Sequence, residues 1–123
     1  MTATPEAIEL ARTAATAAED KIATTITGLD VSGQMPLTDI FLIVSADNDR
    51  QVAALVEAVE DALRDQGVKP LRREGGREGR WVLLDFGDVV VHVQHDEERE
   101  FYDLERLWKD CPRLDLGATG TQQ

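Results

Sequence analysis

Basic charge is scarce in this chain: 13 lysines and arginines stand against 24 aspartates and glutamates, a net charge of −11. A nucleic-acid binder needs basic surface to displace counterions from phosphates, so direct, extensive RNA or DNA contact would fight long-range repulsion and is not expected. A basic protein partner would be attracted over long range. Simple solubility accounts for the same acidity. Cysteine is limited to Cys111, which leaves no internal disulfide and fits a reducing cytosol. No base stands near it in sequence, so it reads as a spectator thiol. No apolar run approaches the roughly 20 residues of a membrane helix. The start lacks the basic-then-apolar pattern of a secretory signal. Glu6, Glu9 and Glu19 stand where organellar transit peptides avoid acids. The expectation is a soluble, cytoplasmic protein with no membrane contact.

What is present is enough for one domain. The chain has 123 residues, 42% apolar and 30% charged, and can bury a core without staples. The α/β pattern predicts a single domain, a mixed β-sheet with flanking helices. Thr4 and Pro5 open a first helix over 4–23, with a stripe of Ala7, Ala11, Ala14, Ala18 and Ile22. Residues 24–31 suggest a strand broken by Gly28, followed by a Ser32-Gly33-Gln34 turn. Residues 39–45, DIFLIVS, form a continuous apolar run and predict a buried central strand. The clearest helix spans 50–66, with Val52, Leu55, Val56, Val59 and Leu63 on one face and Gly67 beyond its end. A strand near Pro70-Leu71-Arg72-Arg73 would complete a crossover with a parallel pair. Gly75-Gly76-Arg77-Glu78-Gly79 reads as a flexible loop. Asp96, Glu97 and Glu98 favour a helix start, and Asp103 can cap a second short helix. The domain is expected to span 1–110, with a flexible tail over 111–123.

The stretch GRWVLLDFGDVVVHVQHD, 79–96, predicts a hairpin turning at Gly87-Asp88. Strand alternation then sorts its side chains. Val82, Leu84, Phe86, Val89, Val91 and Val93 make a wholly apolar face. Trp81, Leu83, Asp85, Val90, His92 and Gln94 make a mixed one. A mixed patch with an aromatic anchor often marks an interface. Coverage by the C-terminal helices, with Asp85 and His92 paired beneath them, explains it equally well.

Catalytic and metal chemistry find little support, and neither a catalytic residue nor a metal ligand is assigned. His92 and His95 are three apart on a strand and point to opposite faces, so they do not share a metal. The sequence lacks a G-x-S-x-G elbow. Gly75-Gly76-x-x-Gly79 lacks the Gly-Lys-Ser/Thr ending of a phosphate loop. Asp47-Asn48-Asp49 has a magnesium-binding form, yet its place at a helix start suits caps. The alternative is a nucleotidyltransferase-like enzyme or nucleotide-binding module, with Asp47, Asp49 and Asp85 around magnesium.

Three motifs in order carry a resemblance. They are LTD before the buried strand (37–39), EGGREGRWVLLD followed by GDVVVH (74–92), and EEREFYDLERLW (97–108). Together, over roughly 6–110, they resemble the ribosomal silencing factor S family, also called the Iojap family. The resemblance implies a core similar to nucleotidyltransferases and a non-enzymatic role without cofactors. Such proteins bind the L-fourteen protein of the large ribosomal subunit on its intersubunit face. They block subunit joining sterically and lower translation when nutrients are scarce. A homodimer is also implied. On this basis the contact residues would be Trp81, Leu83, Asp85, His92, Glu97, Tyr102, Glu105 and Trp108. Asp85, Glu97 and Glu105 would meet lysine or arginine of the partner, and Phe101 and Leu104 would pack in the core. Gln94 and Ile40 stand where relatives commonly have aromatic residues, which would trim the aromatic surface.

Overall fold

A computed structural model describes residues 2–75 and 79–116. Helix α1, Pro5–Asp20, starts where Thr4 accepts a hydrogen bond from the Ala7 N–H, with Pro5 in the first turn. Its buried residues are Ala7, Ala11, Ala14, Ala15 and Ala18. Short side chains let α1 lie close to a second helix and to the sheet. Ile22 departs from the expected stripe. It follows the helix in the left-handed region, φ 59°, and is exposed, because the chain must reverse there to enter β1, Thr25–Asp30.

Strand β1 runs antiparallel to β2, Ile40–Ala46, which is buried along its whole length. Asn48 caps α2, Asp49–Arg64, whose buried face is Val52, Leu55, Val56, Val59 and Leu63, as its spacing predicts. Gly67 takes φ +81°, the left-handed conformation expected beyond a helix end. Strands β3 (Arg72–Gly75), β4 (Trp81–Asp85), β5 (Val89–His95) and β6 (Arg113–Leu114) complete a six-stranded mixed sheet, ordered β3-β4-β5-β2-β1-β6.

Three expectations are corrected. The parallel neighbour of β2 is β5, not the strand that follows α2. All seven β5 residues are buried, whereas β3 is exposed throughout and charged. The apolar strand therefore takes the centre and the charged one blunts an edge. Gly28 does not break β1. A Cβ there would lie 2.7 Å from Leu116 Cδ1, so the glycine makes room for that leucine. Nor is the segment after Asp110 a free tail throughout. Cys111 is buried, Asp30 N–H donates to the Pro112 carbonyl at 2.8 Å, Arg113–Leu114 pair with β1, and Leu116 is fully buried. Two leucines two residues apart are too short a pattern to announce a strand. Residues 117–123 lie outside the described ones. So do 76–78 of the expected loop, whose Gly75 belongs to β3.

The sheet carries a core on each face. On one, α1 and α2 cover Ile26, Leu42, Val44, Leu84, Val91 and Val93 among others. On the other, Leu29, Phe41, Ile43, Val90 and Cys111 form a smaller cluster, with Leu83, Leu104 and Trp108 packed against it. Helices α3 (Asp96–Tyr102) and α4 (Leu104–Leu107) lie at this second face, and neither contains a buried residue.

Candidate partner-docking face

The β4–β5 hairpin has the register that its turn predicts. Trp81 opposes Gln94, Leu83 opposes His92, and Asp85 opposes Val90. Gly87 takes φ +90°, and Phe86 N–H donates to the Val89 carbonyl at 2.9 Å. Val82, Leu84, Phe86, Val89, Val91 and Val93 all enter the larger core. The register of β5 with β2 and of β2 with β1 extends the mixed face into rows across four strands. One row is Trp81, Gln94, Ser45 and Thr25. The next is Leu83, His92, Ile43 and Thr27. The third is Asp85, Val90, Phe41 and Leu29.

Aromatic rings form a chain of contacts from the surface into the second core. Phe101 meets Tyr102 edge-on at 4.9 Å between centroids, and Tyr102 lies 4.7 Å from Trp81. Trp81 lies 6.1 Å from His92. His92 meets the edge of Phe41 at 5.1 Å, and Phe41 meets Trp108 at 5.2 Å. Such tilted and edge-on pairs match the ring quadrupoles. Phe101 is 81% exposed, Leu107 71% and Tyr102 49%. Trp81 and Leu83 are half-buried and line a shallow groove with Glu74 and Gly75.

The eight expected contact residues divide by depth. Trp81, Leu83, Tyr102 and Trp108 retain exposed surface. Glu97 is exposed and pairs with Arg80 at 2.6 Å. Arg80 also reaches Glu98 and Asp49, tying the start of α3 to that of α2. Asp85 accepts from the Gly87 N–H at 2.8 Å and lies 3.4 Å from Arg72. The Glu105 side chain is largely buried, accepts from Thr27 Oγ1 at 3.0 Å and pairs with Arg99. His92 is 6% exposed. Its Nδ1 accepts from Trp81 Nε1 at 3.2 Å. Burial lowers its pKa to about 4, so the ring is neutral near pH 7.

One residue differs from expectation in the other direction. Phe101, expected in the core, is exposed, because α3 ends at Tyr102 and the chain turns at Asp103 with φ 48°. That turn breaks the helical spacing that groups Phe101 with Leu104 and Trp108 in the sequence. Leu104 does pack on the second core. Ile40 and Gln94 are fully buried, Ile40 in the larger core, so neither trims exposed surface.

The magnesium trio is not assembled. Asp47 and Asp49 follow the C-terminal end of β2, while Asp85 shares a row with Phe41 near its start. Asp47 is six residues beyond Phe41, roughly 20 Å at the rise of a strand. Asp47 accepts from Asn48 and Asp49 from Arg80. Burial, with Asp30 and Asp110 nearby, pushes the Cys111 thiol up, the opposite of what a nucleophile requires.

Comparison with known proteins places this architecture. The family model RsfS, described as ribosomal silencing factor during starvation, matches residues 4–123. The ribosomal silencing factor RsfS of Bacillus subtilis is 46% identical over 103 residues, covering 84% of this chain and 87% of that protein. The RsfS of Halalkalibacterium halodurans is 41% identical over 108 residues, covering 88% and 92%. A crystal structure of a Chromobacterium violaceum protein superposes with a TM-score of 0.79 at 38% identity, covering 91% of this chain and 94% of that one. With its hairpin register, mixed sheet and sequence shared over nearly the whole domain, the chain belongs to the ribosomal silencing factor family.

Proposed function

We propose that this protein binds the large ribosomal subunit through the L-fourteen protein and blocks subunit joining by occupying its intersubunit face. The observation that supports this most is the run of exposed or half-exposed rings, Phe101, Tyr102 and Trp81, with Leu83 and Leu107, on an acidic protein. Aromatic side chains dominate binding energy once desolvated. The net charge of −11 suits a basic ribosomal protein and disfavours rRNA. Glu97 and Asp85 are placed at the rim to exchange their internal arginine partners for those of the ribosomal protein. Glu105, whose side chain is largely covered, and the buried His92 support the face from beneath.

The role needs neither nucleotide nor metal, and occlusion rather than catalysis carries it. It lowers translation during nutrient limitation or stationary phase, in the cytoplasm. A second copy of the chain is a further candidate for the same apolar surface, giving a homodimer when no ribosome is bound. Sedimentation through sucrose with purified subunits tests the assignment. The protein is expected with large subunits and absent from small ones, and binding to small subunits alone would overturn it.

A further inference from the structure

Helices α1 and α2 end in the same way but on different residues. After α1, the Ala23 N–H donates to the Ala18 carbonyl at 3.2 Å and the Ile22 N–H to the Glu19 carbonyl at 2.9 Å. After α2, the Val68 N–H donates to the Leu63 carbonyl at 2.9 Å and the Gly67 N–H to the Arg64 carbonyl at 2.8 Å. This closure holds one residue in the left-handed region. Glycine is its usual occupant, because it has no Cβ to crowd the following carbonyl. Gly67 takes that place after α2 with φ +81°, but Ile22 takes it after α1 with φ 59°. A β-branched side chain is the least suited to it. Asp103, also left-handed, uses its carboxylate to cap α4, and an aliphatic side chain offers no such bond. Nor does Ile22 contribute packing, since it is 81% exposed. Backbone strain and exposed apolar surface therefore coincide at one residue, and the fold gains from neither. Strain of this kind is kept where a contact uses it.

We propose that Ile22 is an apolar anchor at the margin of the proposed docking face, seated in a pocket of the basic ribosomal protein that this face meets. The inference rests on the docking reading above. Ile22 lies two residues before Thr24, whose N–H donates to the Ser45 carbonyl and whose hydroxyl donates to Asp96 at the start of α3. Thr25 then opens the row that continues through Ser45 and Gln94 to Trp81. Three strand spacings separate Thr25 from Trp81, roughly 14 Å. A standard interface of about 800 Å² per partner is roughly 30 Å across, so one footprint holds both Trp81 and Ile22. The Gln51 amide donates to the Lys21 carbonyl and ties this tip to α2. Acids outnumber bases around it: Asp20, Asp47, Asp49 and Asp96 against Lys21 and Arg50. An apolar side chain in an acidic rim fits an apolar pocket rimmed by lysine or arginine.

Two measurements on the full chain, read together, test it: urea denaturation, and titration onto purified large subunits followed by sedimentation. Ile22→Gly and Ile22→Asn relieve the strain and remove the aliphatic side chain, whereas Ile22→Leu keeps apolar bulk. The glycine and asparagine variants are expected to raise the folding equilibrium constant roughly three- to tenfold. The same two variants should bind large subunits at least about fivefold more weakly, while Ile22→Leu stays within about twofold of the unaltered chain. A residue that serves only the fold does not move stability and affinity in opposite directions. Unchanged affinity in the glycine and asparagine variants overturns the proposal and leaves the docking reading standing. Lower stability in both variants also overturns it, because the fold would then account for Ile22. If the unaltered chain does not bind large subunits, the docking reading fails and the anchor fails with it.

Discussion

Trp81 and His92 face each other across the β4–β5 hairpin, joined by a hydrogen bond of 3.2 Å from the indole N–H to the imidazole Nδ1. This bond connects the half-exposed tryptophan of the proposed docking face to a buried ring that also contacts Phe41. Trp81→Phe keeps a ring but leaves a buried acceptor unpaired, and should cost about 1–2 kcal/mol in urea denaturation. An unchanged midpoint would show that the bond carries no net stability.

Stability should fall in mild acid. His92 is lowered from an ordinary 6.5 to about 4 by burial, so the unfolded chain takes up a proton that the folded one refuses. Its contribution is complete above about pH 6.5 and is lost as pH falls through the window down to about 4, about 3 kcal/mol in all. Thermal unfolding across that window, with His92→Gln as the reference, measures the difference. The variant should show a shallower slope.

Asp30 binds the N-terminal segment to the end of β1. Burial raises its carboxyl, but the Ser32 hydroxyl and the Ala3 and Ser32 N–H groups outweigh this and hold it below the usual carboxylate range. Asp30→Ala strands those donors and is expected to cost about 1–3 kcal/mol in chemical denaturation at neutral pH. The same contribution is lost in unaltered protein as pH falls through the lowered carboxyl.

Gly28→Ala places a methyl group against Leu116 Cδ1, which must shift because the separation would be 2.7 Å. Expulsion or repacking of that fully buried leucine should destabilise by about 1–3 kcal/mol. Deleting residues from 113 onward removes both β6 and Leu116, and should lower stability further. A truncated protein as stable as the full chain would show that the C-terminal strand is dispensable.

The central architecture was legible because its signals are local and redundant. The stripe of α2, the continuous apolar run of β2 and the hairpin turn at Gly87-Asp88 each specify one conformation, and alternation fixes the hairpin faces. The order of strands was less legible. Whether β3 or β5 lies beside β2 depends on competition between distant segments, which burial decides only in the assembled sheet. The candidate face was legible in its hairpin half, where the turn fixes the register of Trp81, Leu83 and His92. Its helical half was not, because a single left-handed residue, Asp103, redirects the chain. That turn puts Phe101 at the surface and leaves Leu104 packed against the second core. Nothing in the side-chain pattern around Asp103 requires φ > 0.

Subunit joining tests the central claim most directly. Purified large and small subunits are mixed with magnesium, with and without this protein, and joined ribosomes are followed by light scattering. The account predicts fewer joined ribosomes in its presence, with the loss relieved by Phe101→Ala. That ring is exposed, so truncation should change stability by no more than about 0.5 kcal/mol. Trp81→Ala should relieve inhibition more strongly, with circular dichroism confirming that it folds. An unchanged yield of joined ribosomes at saturating protein would contradict the account.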